Sequence, residues 1–251
     1  MSAFAGFWSE GEQTDSDHRV TWQHCQVTGF KIGFGVAERV KATIIDGQVA
    51  NCMNAVKGLN NQFRVTINKL TAKNCGQGLE NTDIDGAIAF AGPATLNNVV
   101  TTGTVAKNAF CNYGGNANPD QETIIGPGCV FDKDVMVSYE NSGAHRITLN
   151  GATLKGGNLR YYNSVLAELL VKNTKFINSG IVGARIKQSR ITAGSRFVTT
   201  DSTRTAIQLG LDSFNTTVDN ATFEGYRKVT DNGQVGKGVT QSRSIRGPLP
   251  R

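Results

Sequence analysis

Two aspartates, Asp83 and Asp85, stand two residues apart in a polar stretch of this 251-residue chain. Hydrolysis of a glycosidic bond requires two carboxyl groups beside the bond, one protonated and one ionised. Residues i and i+2 of a β-strand point to the same face and lie about 7 Å apart. A strand at this point would therefore make Asp83 and Asp85 a candidate catalytic pair.

Polar and aromatic side chains near this pair are of the types that hold sugars. Amides, carboxylates and cations hydrogen-bond hydroxyl groups, and a tyrosine ring offers an apolar surface with a polar tip. The predicted substrate-binding residues are Asn81, Asn112, Tyr113, Asn116, Asp120, Glu122, Tyr139, Glu140, His145 and Arg146. Because Asn, Asp and Gly also form ordinary turns, plain solvated loops are the alternative interpretation.

The elements that would position these residues follow from a repeat along most of the chain. Each unit has the pattern apolar-x-apolar-x-x-small-x-apolar-x-Asn/Gly. The second residue is threonine in several units: Thr21, Thr43, Thr66, Thr95, Thr148, Thr192 and Thr217. Ile124 and Leu170 take that place in two others. The alternation has a period of two residues, which predicts β-strands with one buried face.

The spacing of the units predicts how the strands are arranged. The third residue of each unit falls at 22, 44, 67, 96, 125, 149, 171, 193 and 218. One strand in roughly every 22 residues, with the same inward set, is typical of coils stacked on one another. We therefore predict an all-β, single-stranded parallel β-helix of nine coils. Its strands are expected at 18–28, 41–50, 64–73, 94–102, 123–131, 146–155, 168–177, 190–199 and 215–224.

One buried ladder should result from the inward third residues. Its predicted members are Ile44, Ile67, Leu96, Ile125, Leu149, Val171 and Val218. Two adjacent intervals, from 67 to 96 and from 96 to 125, are longer than the rest. Extra residues in a solenoid become loops on one face, often the binding face. These insertions lie near residues 80–86 and 112–122, where most of the predicted site residues fall.

The repeat strings carry a family resemblance. VKNTKFINSG, VDNATFEGY and INKLTAKNC resemble the coil repeat of right-handed parallel β-helix proteins of the pectin-lyase-like superfamily. The resemblance covers roughly residues 18–230 and is greatest to bacteriophage tail-spike or tail-fibre β-helix domains. It implies a right-handed helix, but polysaccharide lyases, glycoside hydrolases, epimerases, adhesins and tail spikes all share that fold.

Two tripeptides also resemble those of polygalacturonase-type glycoside hydrolases. They are Asn81-Thr82-Asp83 and Arg185-Ile186-Lys187, the second of which binds the acidic sugar in that family. The family also has an Asp-Asp pair and a Gly-His-Gly between the tripeptides, and neither occurs here. Hydrolysis therefore stays an alternative, with Asp83 and Asp85 as the candidate catalytic residues.

Metal and cofactor sites are not predicted. Asp132 and Asp134 are close in sequence, but Asp132 occupies the Asn/Gly turn position of its coil. There it is expected to hydrogen-bond its own backbone at the corner. The sequence has no EF-hand calcium loop, and its three histidines are far apart in the repeat. We expect no cofactor and no metal.

Composition narrows the classes of partner. The net charge is +6, yet Lys and Arg are spread along the coils without a dense basic stripe, so nucleic-acid binding is not expected. A positive surface would attract an acidic polysaccharide. No apolar run approaches the roughly 20 residues of a membrane span.

The five cysteines are odd in number and form no CxxC pair. We therefore predict that they pack as small apolar side chains.

The ends differ in composition from the repeat. Residues 1–17 are predicted to be an N-terminal cap or linker, with Phe4, Phe7 and Trp8 available to cover an open end of the core. Residues 18–230 form the β-helix. Residues 231–251, with four basic side chains among Gly, Ser, Gln and Pro, are expected to be a basic extended tail.

Three functions remain open. The first is a tail-spike or tail-fibre β-helix that binds, and in some cases cleaves, bacterial surface or other acidic polysaccharide. Its location would be the virion tail or the extracellular space. The second is a polysaccharide hydrolase or lyase with carboxylate chemistry. The third is a non-catalytic structural or adhesive β-helix.

Assembly is suggested by apolar residues at outward positions. Ile124, Phe131, Leu170 and Ile177 are predicted to break the polar outward ladder of two coils. Contiguous exposed apolar area usually marks an interface. By analogy with tail spikes, which the chain resembles, a homotrimer is the expected arrangement.

Overall fold

The chain folds as a parallel β-solenoid of about eight turns. The computed structural model describes residues 4–11, 18–59, 64–113, 120–137, 144–161, 166–183, 186–210, 213, 215–232, 240 and 241. All regular structure in these residues is β-strand, and every strand pair is parallel.

Two sheets run along the solenoid. The first contains β1 (Ala5–Glu10), β4 (Ile32–Ala37), β6 (Asn54–Leu59), β8 (Ile88–Phe90), β10 (Asn108–Asn112), β13 (Asp134–Val137), β16 (Leu159–Tyr161), β19 (Ile181–Gly183), β22 (Thr205–Leu209) and β25 (Lys228–Asn232). Each of these strands pairs with the next one in this order, so the sheet gains one strand per turn.

In the second sheet three consecutive turns each contribute one long strand, and the turns before and after them contribute pairs of shorter strands separated by a corner. It contains β2 (Arg19–Gln23), β3 (Gln26–Thr28), β5 (Lys41–Ala50), β7 (Arg64–Lys73), β9 (Ala94–Thr102), β11 (Asp120–Ile125), β12 (Val130–Phe131), β14 (Ala144–Asn150), β15 (Thr153–Lys155), β17 (Leu166–Lys172), β18 (Lys175–Ile177), β20 (Ser189–Ile191), β21 (Arg196–Val198), β23 (Thr216–Val218), β24 (Thr222–Glu224) and β26 (Thr240–Gln241). Strands therefore occur in all nine of the predicted ranges.

The predicted inward ladder is confirmed. Ile44 is the register partner of Ile67, and the series continues through Leu96, Ile125, Leu149 and Val171. All of these side chains, and Val218, belong to one buried core cluster. A single turn leaves its inner face open, and stacking the next turn on it buries that face.

The predicted phase is wrong by two residues in one unit. Val171 pairs with Ile191, and Ile191 pairs with Val218, whereas Ala193 lies exposed beyond the strand. The outward position of this strand is held by Arg190, not by Thr192. A shift of two residues keeps the same inward and outward parity, so alternation alone does not separate the two phases.

The predicted outward position of Phe131 is also wrong. Phe131 is fully buried, pairs with Leu154 and lies 6.2 Å from the Phe110 ring. Leu154 follows its ladder residue Leu149 by five positions, but Phe131 follows Ile125 by six. The corner between β11 and β12 thus holds one extra residue, and one extra residue turns the next strand over.

Corners of the solenoid are made by residues with positive φ. One series of stacked corners consists of His24, Asp46, Lys69, Asn98, Gly128, Gly151, Asn173, Gly194 and Asn220, all with φ between +48° and +82°. Positive φ is strained for most residues. Gly adopts it without steric penalty, and Asn adopts it at a lower cost than most other side chains. The Asn or Gly that ends each sequence unit takes a second such corner, for example Asn51, Asn74, Gly103 and Gly156.

The acidic corner residue Asp132 binds the preceding turn. Its Oδ1 accepts hydrogen bonds from the hydroxyls of Thr101 and Thr104, each at 2.6 Å, and its Oδ2 accepts one from Thr104 N at 2.9 Å. Burial raises the pKa of this carboxyl, but these hydrogen bonds outweigh it and leave the pKa below its ordinary value. Asp132 therefore joins two turns at a corner.

Phe7, in the N-terminal strand β1, packs against the core. Phe7 stacks on Phe34 with ring centroids 5.4 Å apart, whereas Phe4 and Trp8 are exposed.

The five cysteines are free, and all but Cys25 are buried. Burial raises the pKa of Cys75 to about 11, so it is a neutral thiol at physiological pH. Within the described ranges, no helix has the length and apolarity to span a bilayer.

Candidate functional site

The first predicted insertion forms a compact loop between β7 and β8. Leu79, at its centre, is buried, and its N–H donates to Gly76 O at 3.1 Å. Its carbonyl accepts hydrogen bonds from the N–H groups of Thr82 and Lys107. The amide of Asn108 donates to Asp85 O at 2.7 Å and so fixes the end of the loop. Backbone bonding thus holds the predicted acidic residues in place.

Asp85 is bound into the fold by three donors. Lys57 Nζ lies 2.5 Å from its Oδ2, and Oδ1 accepts from Asn54 Nδ2 at 3.0 Å and from Gly86 N at 2.8 Å. The side chains of Lys57 and Asp85 are only 12% and 18% exposed. An ion pair this sheltered from water is screened little. Asp85 therefore anchors the loop to β6.

Asp83 is placed differently. Its side chain is 52% exposed and forms an ion pair with Lys107. Both aspartates lie in the loop and not on a strand, so the expected strand spacing does not apply to them. Each carboxylate is paired with its own lysine, Asp83 with Lys107 and Asp85 with Lys57.

The structure brings Asp85 together with Tyr113, from the second insertion. The two side chains line a groove of about 370 Å³, the loop groove, whose walls are Lys57, Leu59, Leu79, Thr82, Ile84, Asp85 and Tyr113. Leu59, Leu79 and Ile84 are apolar, and the polar groups of Lys57, Asp85 and Tyr113 are already bonded within the protein. The loop groove therefore offers few free hydrogen-bonding groups to a ligand.

Tyr113 is not a free platform for a sugar ring. The Lys57 ammonium lies over its ring, 5.1 Å from the centroid, within the range of a cation–π contact. The Tyr113 hydroxyl donates to Gly58 O, and the ring packs against the buried cluster of Ala89, Cys111 and Met136. Burial raises the pKa of the hydroxyl and keeps it neutral.

The other predicted binding residues do not converge on the loop groove. Asn112 faces inward on β10, is fully buried, and donates to Gly92 O and Thr123 Oγ1, so its predicted contact with substrate is wrong. Asn81 is exposed on the loop but does not line the groove. Glu122 and Arg146 are exposed register partners on β11 and β14.

Some predicted residues fall where side chains are not described. Asp120 and His145 are placed by their backbone, at the starts of β11 and β14. Asn116, Tyr139 and Glu140 lie outside the described residues.

A second groove, which the sequence did not single out, lies on the outer face of the second sheet. This sheet groove has a volume of about 420 Å³ and is lined by Gln26, Val27, Thr28, Gln48, Val49, Ala50, Thr71 and Lys73. Its polar members come from β3, β5 and the end of β7. The half-buried Ala50 is its outward apolar member, whereas Val27 and Val49, between the polar rows, point into the core.

The polar side chains of the sheet groove are available to a ligand. Gln26, Gln48, Thr71 and Lys73 are exposed, and their side chains have no hydrogen-bond or ion-pair partner among the residues that the structure describes. Thr28 Oγ1 donates to Ala50 O at 3.1 Å and keeps its lone pairs for acceptance. Amides, hydroxyls and an ammonium thus line one open surface.

The alternation of the strands places these side chains together. Gln26 and Thr28 flank the inward Val27, as Gln48 and Ala50 flank Val49. Gln48 follows Gln26 by 22 residues and Thr71 follows Gln48 by 23, the same separations as the core ladder. The signal was therefore present in the sequence, but polar outward residues are also what a bare solvated scaffold shows.

Metal ligation finds no support in the described part of the chain, where no three His, Cys, Asp or Glu side chains are grouped to hold an ion. Asp134 instead accepts a hydrogen bond from Asn158 N at 2.7 Å, and its Oδ2 lies 3.0 Å from Arg160 Nε.

No protein-family model, curated protein or solved structure matches the chain.

Proposed function

We propose that this protein is a carbohydrate-recognising β-solenoid and that the sheet groove is its binding surface. The observation that carries the proposal is the set of exposed amide, hydroxyl and ammonium groups on one outer face, which have no side-chain partner among the described residues. A sugar ring presents hydroxyls at its edge and C–H groups on its faces. The polar side chains of the groove can hydrogen-bond the hydroxyls, and Ala50 with the aliphatic parts of Gln26, Gln48 and Lys73 can contact the C–H face.

The proposal is for binding rather than cleavage. Glycoside hydrolysis needs one carboxyl group as an acid and another as a base or nucleophile beside the same bond. Asp83 and Asp85 are engaged with different lysines, and neither lines the sheet groove. We therefore expect the polysaccharide that binds to be released unchanged, with no new reducing ends.

We also propose the setting in which the protein acts. Its short turns and its Asn and Thr ladders resemble those of right-handed, pectin-lyase-like tail-spike and tail-fibre domains. The expected ligand is then a bacterial surface or other acidic polysaccharide, and the location is the virion tail or the extracellular space. In such a particle the protein would act as a homotrimer.

A glycan array tests the proposed function directly. The wild-type chain should bind a polysaccharide of the array, and the double variant Gln26→Ala/Gln48→Ala should lose that binding. Gln208→Ala is the matched control, because Gln208 is an exposed strand glutamine on the first sheet. Binding that survives the double variant, or an array without any bound glycan, would contradict the proposal.

Asp83→Asn adds a test of the catalytic alternative. If the chain only binds, this variant should bind as the wild type does, and neither protein should generate reducing ends from the bound polysaccharide. Reducing ends that appear with the wild type and disappear with Asp83→Asn would support the hydrolase instead.

A further inference from the structure

Three cationic side chains lie in register at the start of three strands of the second sheet. Arg19 pairs with Lys41, and Lys41 pairs with Arg64. The next residue of each strand packs in or against the core, so the three cations point to the outer face. We call Arg19, Lys41 and Arg64 the cationic row. Because 22 and 23 residues separate its members along the chain, the sequence alone shows no basic stripe.

The same outward position has a different charge pattern further along the solenoid. Glu122 pairs with Arg146, and Arg146 pairs with Glu168, so opposite charges alternate from turn to turn. The buried Pro93 takes this position in the turn between the two sets. Opposite charges on neighbouring strands stabilise a sheet, whereas like charges directly opposite destabilise it. The cationic row is therefore a local departure with a cost in stability, as expected where side chains serve an anion.

A strained corner adds a fourth cation. Glu38 and Arg39 have φ of +42° and +48° and form the one adjacent pair of non-glycine residues with positive φ in the described part of the chain. Positive φ is unfavourable for such residues, and strain of this kind is concentrated at functional sites. The corner places the exposed Arg39 two residues before Lys41. Its own acidic side chain, Glu38, is half-buried.

The donors of the cationic row can hold further acceptors. Arg19 and Lys41 already have partners within the protein. A guanidinium has five N–H donors and an ammonium has three, so each can take an additional acceptor. Arg64 is exposed, and its side chain has no hydrogen-bond or ion-pair partner among the described residues. A column of threonines lies beside the row on the same face: Thr21, Thr43 and Thr66.

We infer that the cationic row is a binding site for a compact oligophosphate. Neighbouring strands are about 4.8 Å apart, so the three charges lie within the span of one small anion. Phosphate oxygens accept from guanidinium and ammonium groups in strong, charge-assisted hydrogen bonds. A uronic acid has a single carboxylate on each sugar ring and would leave part of the row without a partner. None of the three cations lines the sheet groove, so this site is separate from the proposed carbohydrate surface.

The probes are inorganic phosphate, pyrophosphate and tripolyphosphate, each titrated calorimetrically against the whole chain at physiological ionic strength. We expect saturable binding of tripolyphosphate, with a Kd about tenfold lower than that of pyrophosphate. Single phosphate should bind weakest, because it can engage the fewest cations. A wild-type chain that shows no saturable binding of tripolyphosphate would overturn the inference.

Arg64→Gln should raise the Kd for tripolyphosphate about tenfold, and Arg64→Lys, which keeps the charge, should retain most of the binding. Arg146→Gln is the matched control. It removes the same charge from the same outward position, at a place where the register partners are acidic, and should bind as the wild type does. Equal losses in Arg64→Gln and Arg146→Gln would mean that net charge alone attracts the anion, and the site would be refuted.

Single-stranded DNA is the competing polyanion. A ten-nucleotide oligomer that binds more tightly than tripolyphosphate, and loses that binding with Arg64→Gln, would make the row a nucleic-acid surface and the inference wrong. Loss of tripolyphosphate binding leaves the glycan array unaffected, because Gln26 and Gln48 do not belong to the row. The two proposals therefore fail independently.

Discussion

Two aspartates separated by a single residue have different structural roles. Asp85 is largely buried and accepts from Lys57, Asn54 and Gly86, whereas the half-exposed Asp83 carboxylate has Lys107 as its one ion-pair partner among the described residues. An exposed ion pair contributes about 0–1 kcal/mol, whereas removing one partner of a buried pair leaves a charge without compensation. The burial of the pair, and not the charge alone, decides its importance.

Asp85→Ala should therefore destabilise the protein by about 2–4 kcal/mol, because Lys57 is left unpaired and Gly86 N loses its acceptor. Asp83→Ala should change the free energy of unfolding by less than about 1 kcal/mol. Urea denaturation followed by circular dichroism measures both. Equal effects of the two substitutions would show that Asp85 does not anchor the loop.

Asp132 should make stability depend on pH in the acid range. Its pKa is lower in the folded than in the unfolded chain, so the unfolded state binds the proton more tightly. The stabilisation is present above the unfolded pKa, near 4, and is lost as the pH falls through the lower folded pKa. We expect Asp132→Asn to be less stable than the wild type at pH 7 and to lose less stability as the pH falls below about 4. Parallel pH profiles of the two proteins would contradict this assignment.

At the scale of the strands, stability resides in the inward ladder. Leu149 is fully buried between its register partners Ile125 and Val171. Leu149→Ala removes buried methyl groups and leaves a cavity, and should cost about 2–5 kcal/mol. Its neighbour Thr148 points outward, so Thr148→Ala should change stability by less than about 0.5 kcal/mol. A loss below about 0.5 kcal/mol for Leu149→Ala would mean that the inward assignment is wrong.

The corners permit a matched comparison of two glycines. Gly156 and Gly225 have φ of +78° and +79°, so an added Cβ strains both backbones equally, by about 1–2 kcal/mol. At Gly156 a Cβ would meet no atom within 4 Å, but at Gly225 it would lie 2.0 Å from Thr199 O, which is backbone. Gly225→Ala should therefore have the larger unfolding penalty. Equal melting temperatures for the two variants would show that the close approach to Thr199 O adds no penalty beyond the backbone strain.

How far the sequence predicts the strands depends on what the repeat leaves ambiguous. The repeat places the ladder from Ile44 to Val171 correctly, because each inward residue keeps the same place in its unit even where a loop lengthens the interval. Ile191 was missed because alternation is unchanged by a shift of two residues. The inward orientation of Phe131 was missed because the one extra residue in the corner before it does not show in the repeat pattern.

The candidate site was predictable only in part, for a related reason. Asp85 and Tyr113, which both lie beside the predicted insertions, line one groove in the structure. Whether a side chain is free or already paired depends on neighbours in adjacent turns, such as Lys57 for Asp85. Gln26 and Gln48 recur at the repeat distance, but only the register shows that they share one groove with Lys73.

At the scale of the whole molecule, the apolar surface is smaller than the sequence suggested. Phe131 is in the core, while Ile177 is 37% exposed and is the register partner of the half-buried Val198. Ile124 and Leu170 are half-buried on the outward face. The proposed trimer would bury Ile177.

Sedimentation equilibrium at micromolar concentration should therefore give three times the chain mass of 26.9 kDa. Ile177→Lys should shift the protein towards monomer, because burying the ammonium is costly. Ile84→Lys is the control, since Ile84 is an exposed apolar residue on the loop groove. A monomeric wild type would leave the trimer without support.

The side-chain amide resonances of Gln26 and Gln48 report most directly on carbohydrate recognition. In a ¹⁵N-labelled sample titrated with the glycan selected by the array, both NH₂ signals should shift and saturate together, while that of Gln208 on the first sheet stays in place. Saturating shifts at Tyr113 and Thr82, with Gln26 and Gln48 unmoved, would place the sugar in the loop groove and contradict the account.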